Sequence, residues 1–199
     1  MSGDRLADAF LDAAREAASR LEDGLGLGSP ETTRVSDDTA AVSFVGPGVV
    51  LTLVCDRGEM DAMLTRAEVE DGPAFQIRLV LGLAGVEGWR TRWPRIVGSE
   101  TARRSVGSLV SDILEHGGPW LRGDPDALER LEDFREVGLA LKMAQFGPGR
   151  RPAGEWAPVR DAWESQALGP LADAIRGLPR PLRAVEEQAM AYAERHRPE

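Results

Sequence analysis

Cysteine, lysine and histidine are all scarce in this sequence of 199 residues. The single cysteine, Cys55, excludes an internal disulfide and fits a reducing compartment. Two histidines, His116 and His196, make no pair at helical spacing, so a zinc site has too few soft ligands to draw on. Long apolar runs are also missing. None approaches the ~20 residues that a membrane-spanning helix needs, and the first residues lack the basic-then-apolar order of a signal peptide. A cytoplasmic protein without a membrane segment is the expectation. Lys142 is the only lysine among 24 basic residues. With the abundant Ala, Gly and Pro, that bias points to a GC-rich, bacterial genome.

What is present is an ordinary globular composition, 42% hydrophobic and 29% charged, with enough chain for a substantial core. The charge is unevenly placed. Residues 1–75 carry 15 acidic and 6 basic groups, whereas residues 76–199 carry 18 of each. The acidic part repels nucleic-acid phosphates and anionic lipid, and it would steer a basic partner toward itself.

Four short apolar runs separated by turn residues organise the chain: Thr39–Val45, Val49–Cys55, Met60–Arg66 and Phe75–Leu81. The connections Gly46-Pro47-Gly48, Asp56-Arg57-Gly58 and Glu70-Asp71-Gly72-Pro73 are turn sequences, and short loops imply antiparallel neighbours. Alternation within the runs predicts a β-meander of about four strands over residues 39–81. Val49–Cys55, apolar at nearly every position, reads as the central strand with cover needed on both faces.

Leu6, Phe10, Ala13, Ala14, Ala17 and Leu21 predict an amphipathic helix over residues 4–23, with Ser2 or Asp4 to cap it. Gly24, Gly26 and Gly28 follow that helix. A phosphate-binding glycine loop must instead follow a strand and open a helix, so these glycines read as a cap and linker, and no cofactor is implied. After residue 98 the spacing turns helical: Ala102–Leu114, then a helix opened by Asp124-Pro125 and carried by Leu128, Leu131, Phe134, Val137 and Leu141. Short helices follow around Trp156–Trp163, Leu171–Ile175 and Leu182–Tyr192. The expected class is α+β. Residues 1–146 read as an α+β core, 147–154 as a Gly/Pro/Arg linker, and 155–199 as a helical extension docked on the core.

Reactive constellations are few. Asp112 and His116 share a helix face, but nothing in the sequence brings Cys55 to them. The adjacent pairs Asp37-Asp38 and Glu186-Glu187 point different ways on any regular element, so neither is an acid/base dyad; a turn and a wet helix face are their expected places. No catalytic residue and no metal ligand is assigned. The sharpest local feature is a basic, aromatic stretch comprising Trp89, Arg90, Arg92, Trp93 and Arg95, continued by Arg103 and Arg104. Arg and Trp are enriched at protein-interface hot spots, and the same pair suits an anionic ligand. The third alternative is packing, with tryptophans in the core and arginines paired to the acidic part. Arg150-Arg151 repeats the pattern more weakly.

These features together favour a non-enzymatic interaction protein: a binder, inhibitor or assembly component that meets a protein partner, basic by charge, through its acidic surface and its Arg/Trp loop. One form is an antidote that blocks a basic toxin or nuclease. The order of elements resembles that of small bacterial immunity proteins, although no motif carries the resemblance and no residue role follows from it. The alternative is a small-molecule-binding or hydrolytic enzyme with a pocket near residues 89–116, using Arg90, Arg92, Trp93 or His116.

Overall fold

The computed structural model describes residues 5–68, 72–86 and 93–196. In chain order the elements are α1 (Leu6–Leu25), β1 (Glu31–Arg34), β2 (Thr39–Val45), β3 (Val49–Asp56), β4 (Glu59–Arg66), β5 (Phe75–Gln76), α2 (Ile77–Leu83), α3 (Ser99–His116), α4 (Gly118–Leu121), α5 (Pro125–Ala144), α6 (Ala153–Glu164), α7 (Leu168–Arg176) and α8 (Ala184–Arg195). The class is α+β: an N-terminal helix, an antiparallel sheet and a mostly helical C-terminal half. The chain divides into two compact units, Met1–Leu128 and Glu129–Glu199, and the division falls inside α5. Among the described residues no helix is long and apolar enough to cross a membrane.

The sheet of the first unit runs β1-β2-β3-β4-β5 with every neighbour antiparallel. Its register stacks three apolar rows on one face: Phe44–Leu51–Leu64, Val42–Leu53–Ala62 and Ala40–Cys55–Met60. Every one of these side chains is buried. The alternate set, including Val50, Thr52 and Val54, stays half-exposed, and there Ser43 and Thr52 share a hydrogen bond of 3.0 Å. β3 is thus the middle strand, but the sheet takes full cover on one face only.

That cover begins with α1, whose Ala7, Phe10, Ala14 and Leu21 are buried. Alanines along this face let α3 lie close beside it, and α1 also contacts β2 and β3. Gly26 ends α1 in the left-handed conformation (φ 67°), its N–H donating to the Glu22 carbonyl at 2.9 Å. Ser2 and Asp4 lie outside the described residues; the residue at the N-cap position is Arg5, and the Ala7 N–H donates to the Asp37 carbonyl at 3.1 Å. At the β3–β4 turn Gly58 has φ +81°, and a Cβ there would strike the Ile96 carbonyl. The Ile96 N–H in turn donates to the Gly58 carbonyl at 2.7 Å. The turn therefore anchors the segment leading into α3.

Two elements differ from the spacing-based expectation. β1 adds a fifth strand; all four of its residues are exposed, so no apolar period announces it. The run Phe75–Leu81 is a strand only at Phe75–Gln76, which pairs with Met63 and Leu64; from Ile77 onward it is helix. Its apolar residues satisfy both periods. The helix buries Ile77, Val80 and Leu81, whereas a strand would have buried Leu79 in place of Val80.

In the second unit α6 packs on α7 and α7 on α8. The α5 start is as expected: the Asp124 carboxylate accepts from the N–H groups of Asp126 and Ala127 at 3.0 and 3.2 Å.

Leu53 sits at the centre of the middle row with no exposed surface. Leu53→Ala is expected to cost about 3 kcal/mol in urea-induced unfolding. A loss below about 1 kcal/mol would contradict the packing described for this face.

Candidate functional site

The basic, aromatic stretch is only partly in view, because Trp89, Arg90 and Arg92 lie outside the described residues. Its other members are engaged within the first unit. Trp93 is buried, and its indole N–H donates to the buried Asp112 carboxylate at 3.1 Å. The Arg78 guanidinium lies 5.1 Å from the Trp93 ring centre, within cation–π range. Arg95 donates to the Arg57 carbonyl at 2.8 Å. Arg103 reaches both carboxylate oxygens of Glu16, at 3.2 and 3.0 Å, and Arg104 pairs with Glu100 at 2.9 Å. Trp93 thus acts as a core side chain, and Arg103 ties α3 to α1.

The other candidates of the first unit occupy separate settings. Cys55 is fully buried in the sheet face, where desolvation pushes its thiol up from the ordinary value. His116 closes α3 with its Nε2 3.6 Å from Glu115, while Asp112 one turn earlier serves Trp93. Asp37, exposed, and Asp38, half-buried, lie in the bend between β1 and β2. Among the described residues, no three His, Cys, Asp or Glu side chains gather as a metal site requires.

Glu186 overturns the expectation of a wet helix face. It has no exposed surface. Its carboxylate accepts from Arg151 at 2.7 and 2.8 Å, from the Arg183 guanidinium at 2.7 Å and from the Arg183 backbone N–H at 2.8 Å. Burial alone would raise this carboxyl, but the Arg151 and Arg183 hydrogen bonds outweigh it and hold the group at about 2. Arg183 also donates to the Ala144 carbonyl at 3.1 Å and lies 5.1 Å from the Trp156 ring centre. One carboxylate therefore ties the end of α5, the segment before α6 and the start of α8 together.

An aromatic cluster stands beside this knot. Phe134 stacks on Trp163 with ring centres 4.0 Å apart and planes at 11°, and Tyr192 meets both rings edge-on at 5.8 and 6.4 Å. Gly138 makes the stack possible, since a Cβ there would lie 2.7 Å from the Trp163 ring. Next to it a cleft of about 280 Å³ is walled by Leu141, Phe146, Trp156, Val159 and Trp163, with Lys142 among the polar groups at its edge. Leu139, Met143 and Phe146 are 61%, 65% and 75% exposed. They recur at i, i+4 and i+7, so they form one stripe on α5 and the turn after it. Spacing already separates them from the face made by Leu131, Phe134, Val137 and Leu141; three large apolar residues off the core face were the available signal.

Comparison with protein-family models, with curated proteins and with solved structures finds no match.

Glu186 gives a pH prediction. A carboxyl held near 2 when folded and near its ordinary ~4.3 when unfolded stabilises fully above about pH 5. That contribution is lost as pH falls from ~5 toward 2. Glu186→Gln leaves two arginines without their anion, and it should cost about 3 kcal/mol at pH 7 and flatten the acid limb of the stability curve. Urea unfolding at pH 7 and pH 3 checks both; an unchanged acid limb would assign that limb to other carboxylates.

Proposed function

We propose that this chain is a non-enzymatic interaction protein that binds a protein partner. The observation that carries the reading is the stripe of Leu139, Met143 and Phe146, exposed together and running into a tryptophan-walled cleft. Single exposed apolar residues are ordinary, whereas a contiguous patch beside a cleft is a mark of docking. Its composition, with Met, Phe and Trp, is that of an interface core.

The acidic excess of residues 1–75 suits a basic partner and supports the same class of function. The stripe carries more weight because several acids of the first unit are already paired: Asp8 and Asp37 with Arg34, and Glu16 with Arg103. An inhibitor or immunity-type role is one form of this reading, and the charge of residues 1–75 is its support.

The test is purification of the tagged full chain from its source organism under native conditions, followed by intact-complex mass measurement. A stoichiometric protein partner is expected, with about 10-fold or greater loss of affinity on Met143→Glu. Because Met143 is exposed, the substitution should change folding stability by no more than about 0.5 kcal/mol, which separates lost docking from lost fold. A co-purifying small molecule with no protein partner would instead support the enzyme or small-molecule alternative.

A further inference from the structure

The sheet of the first unit leaves one face uncovered. Strand register and alternation set three rows on it: Val45–Val50–Thr65, Ser43–Thr52–Met63 and Ala41–Val54–Asp61. Not one of these side chains is buried, whereas every side chain of the three rows on the opposite face is. An antiparallel sheet with one wet face ordinarily places polar residues there. Here Val45, Val50, Val54 and Met63 are apolar, and Val45 is 53% exposed.

The charge on this face is of one sign. Glu31 of β1, Asp56 of β3, and Glu59 and Asp61 of β4 all stand on it, and none of its strand positions is Arg or Lys. Arg34 and Arg66 alternate to the other side, since their register partners Ala40 and Val49 are buried there. Asp56 and Glu59 are directly opposite in the β3–β4 register. Like charges opposed across a ladder destabilise a sheet, so the fold gains nothing from this pair.

These carboxylates are answered weakly from within the chain. Asp56 accepts from the Thr39 hydroxyl at 2.9 Å and lies 4.0 Å from Arg57. Asp61 accepts from the Ala62 N–H at 2.8 Å and lies 3.9 Å from Arg78. Glu31 and Glu59 have no hydrogen bond or ion pair among the described residues. Asp8 and Glu16, by contrast, are held by Arg34 and Arg103.

Charge and apolar surface are sorted along the strands. Asp56, Glu59 and Asp61 gather at the β3–β4 turn, and Val45, Val50 and Thr65 at the β2–β3 end. A matching occupant is therefore basic at one end and apolar at the other. A second copy of this chain would set carboxylates against carboxylates or against valines, and phosphates would be repelled.

We infer that this open sheet face binds a basic protein. Arg or Lys side chains of the partner meet Asp56, Glu59 and Asp61, and its apolar side chains cover Val45, Val50 and Met63. The surface belongs to the first unit and the α5 stripe to the second; what the two share is the protein-binding reading above, on which this one rests.

The experiment places a photo-crosslinking residue at position 63 of the full chain, and in a second version at position 143, in the source organism. Mass spectrometry then maps the crosslinked segments. At position 63 the expected segment is part of another protein and carries a net positive charge. That protein, once purified, should bind the full chain with affinity falling about 10-fold at low salt on Glu31→Lys/Glu59→Lys, and by less at high salt. The double variant should unfold at the same urea concentration or a higher one, because Glu59→Lys turns a like-charge pair into an opposite one. A crosslinked segment that is acidic or uncharged, or that belongs to this chain itself, overturns the inference. Binding unchanged by the charge reversal also overturns it. A protein captured at position 143 and none at 63 overturns it while leaving the protein-binding reading in place; none at either position overturns both.

Discussion

A carboxylate with no access to water has to be answered by the protein, and the form of the second unit follows from how Glu186 is answered. An isolated buried charge would cost several kcal/mol. Four N–H donors on two residues far apart in sequence remove that penalty: two from the guanidinium of Arg151, one from the guanidinium of Arg183 and the Arg183 backbone N–H. Such a group contributes little net stability compared with an apolar core of the same shape. What it contributes is placement. The Gly/Pro-rich turn after α5 cannot hold a fixed path through hydrophobic burial alone, and Arg151 pins it to the first turn of α8. Arg183 extends the same knot to the end of α5 and to the face of Trp156.

The first unit solves its problem with apolar rows. Phe44–Leu51–Leu64 and its two neighbouring rows need only the correct strand register, which period-2 alternation and tight turns enforce. Its buried polar pair, Trp93 with Asp112, is closed by a direct hydrogen bond and capped by Arg78. Two different physical solutions thus stand in one chain.

That difference explains what could be read from the residues. Strands β2, β3 and β4 were legible to within a residue because alternation and turn chemistry agree there. Phe75–Leu81 was not, since its apolar residues fit a strand and a helix equally and only the packing of Val80 decides. β1 carries no apolar residue. Trp93 and Arg103 illustrate a deeper limit: Trp and Arg are enriched at interfaces, yet they also build cores and inter-helix ion pairs, and burial is what tells these apart. Glu186 was illegible for a similar reason. Its two arginines lie 35 and 3 residues away, and no local pattern joins them. The stripe of Leu139, Met143 and Phe146 was legible in principle, because those residues fall outside the helix face that Leu131, Phe134, Val137 and Leu141 define.

The knot and the stripe also act on each other. Association costs free energy for every side chain and loop that must become ordered, so a surface whose walls are already fixed binds more tightly for the same contact area. Trp156 is held by Arg183, and Trp163 by its stack on Phe134 over Gly138. Leu139 and Met143 are the adaptable part. The thioether of Met143 has three rotatable bonds and a polarizable sulfur, and it can fit more than one apolar shape. An aromatic cleft with fixed walls thus stands beside a stripe whose side chains can adjust, the division of labour that the proposed docking would use.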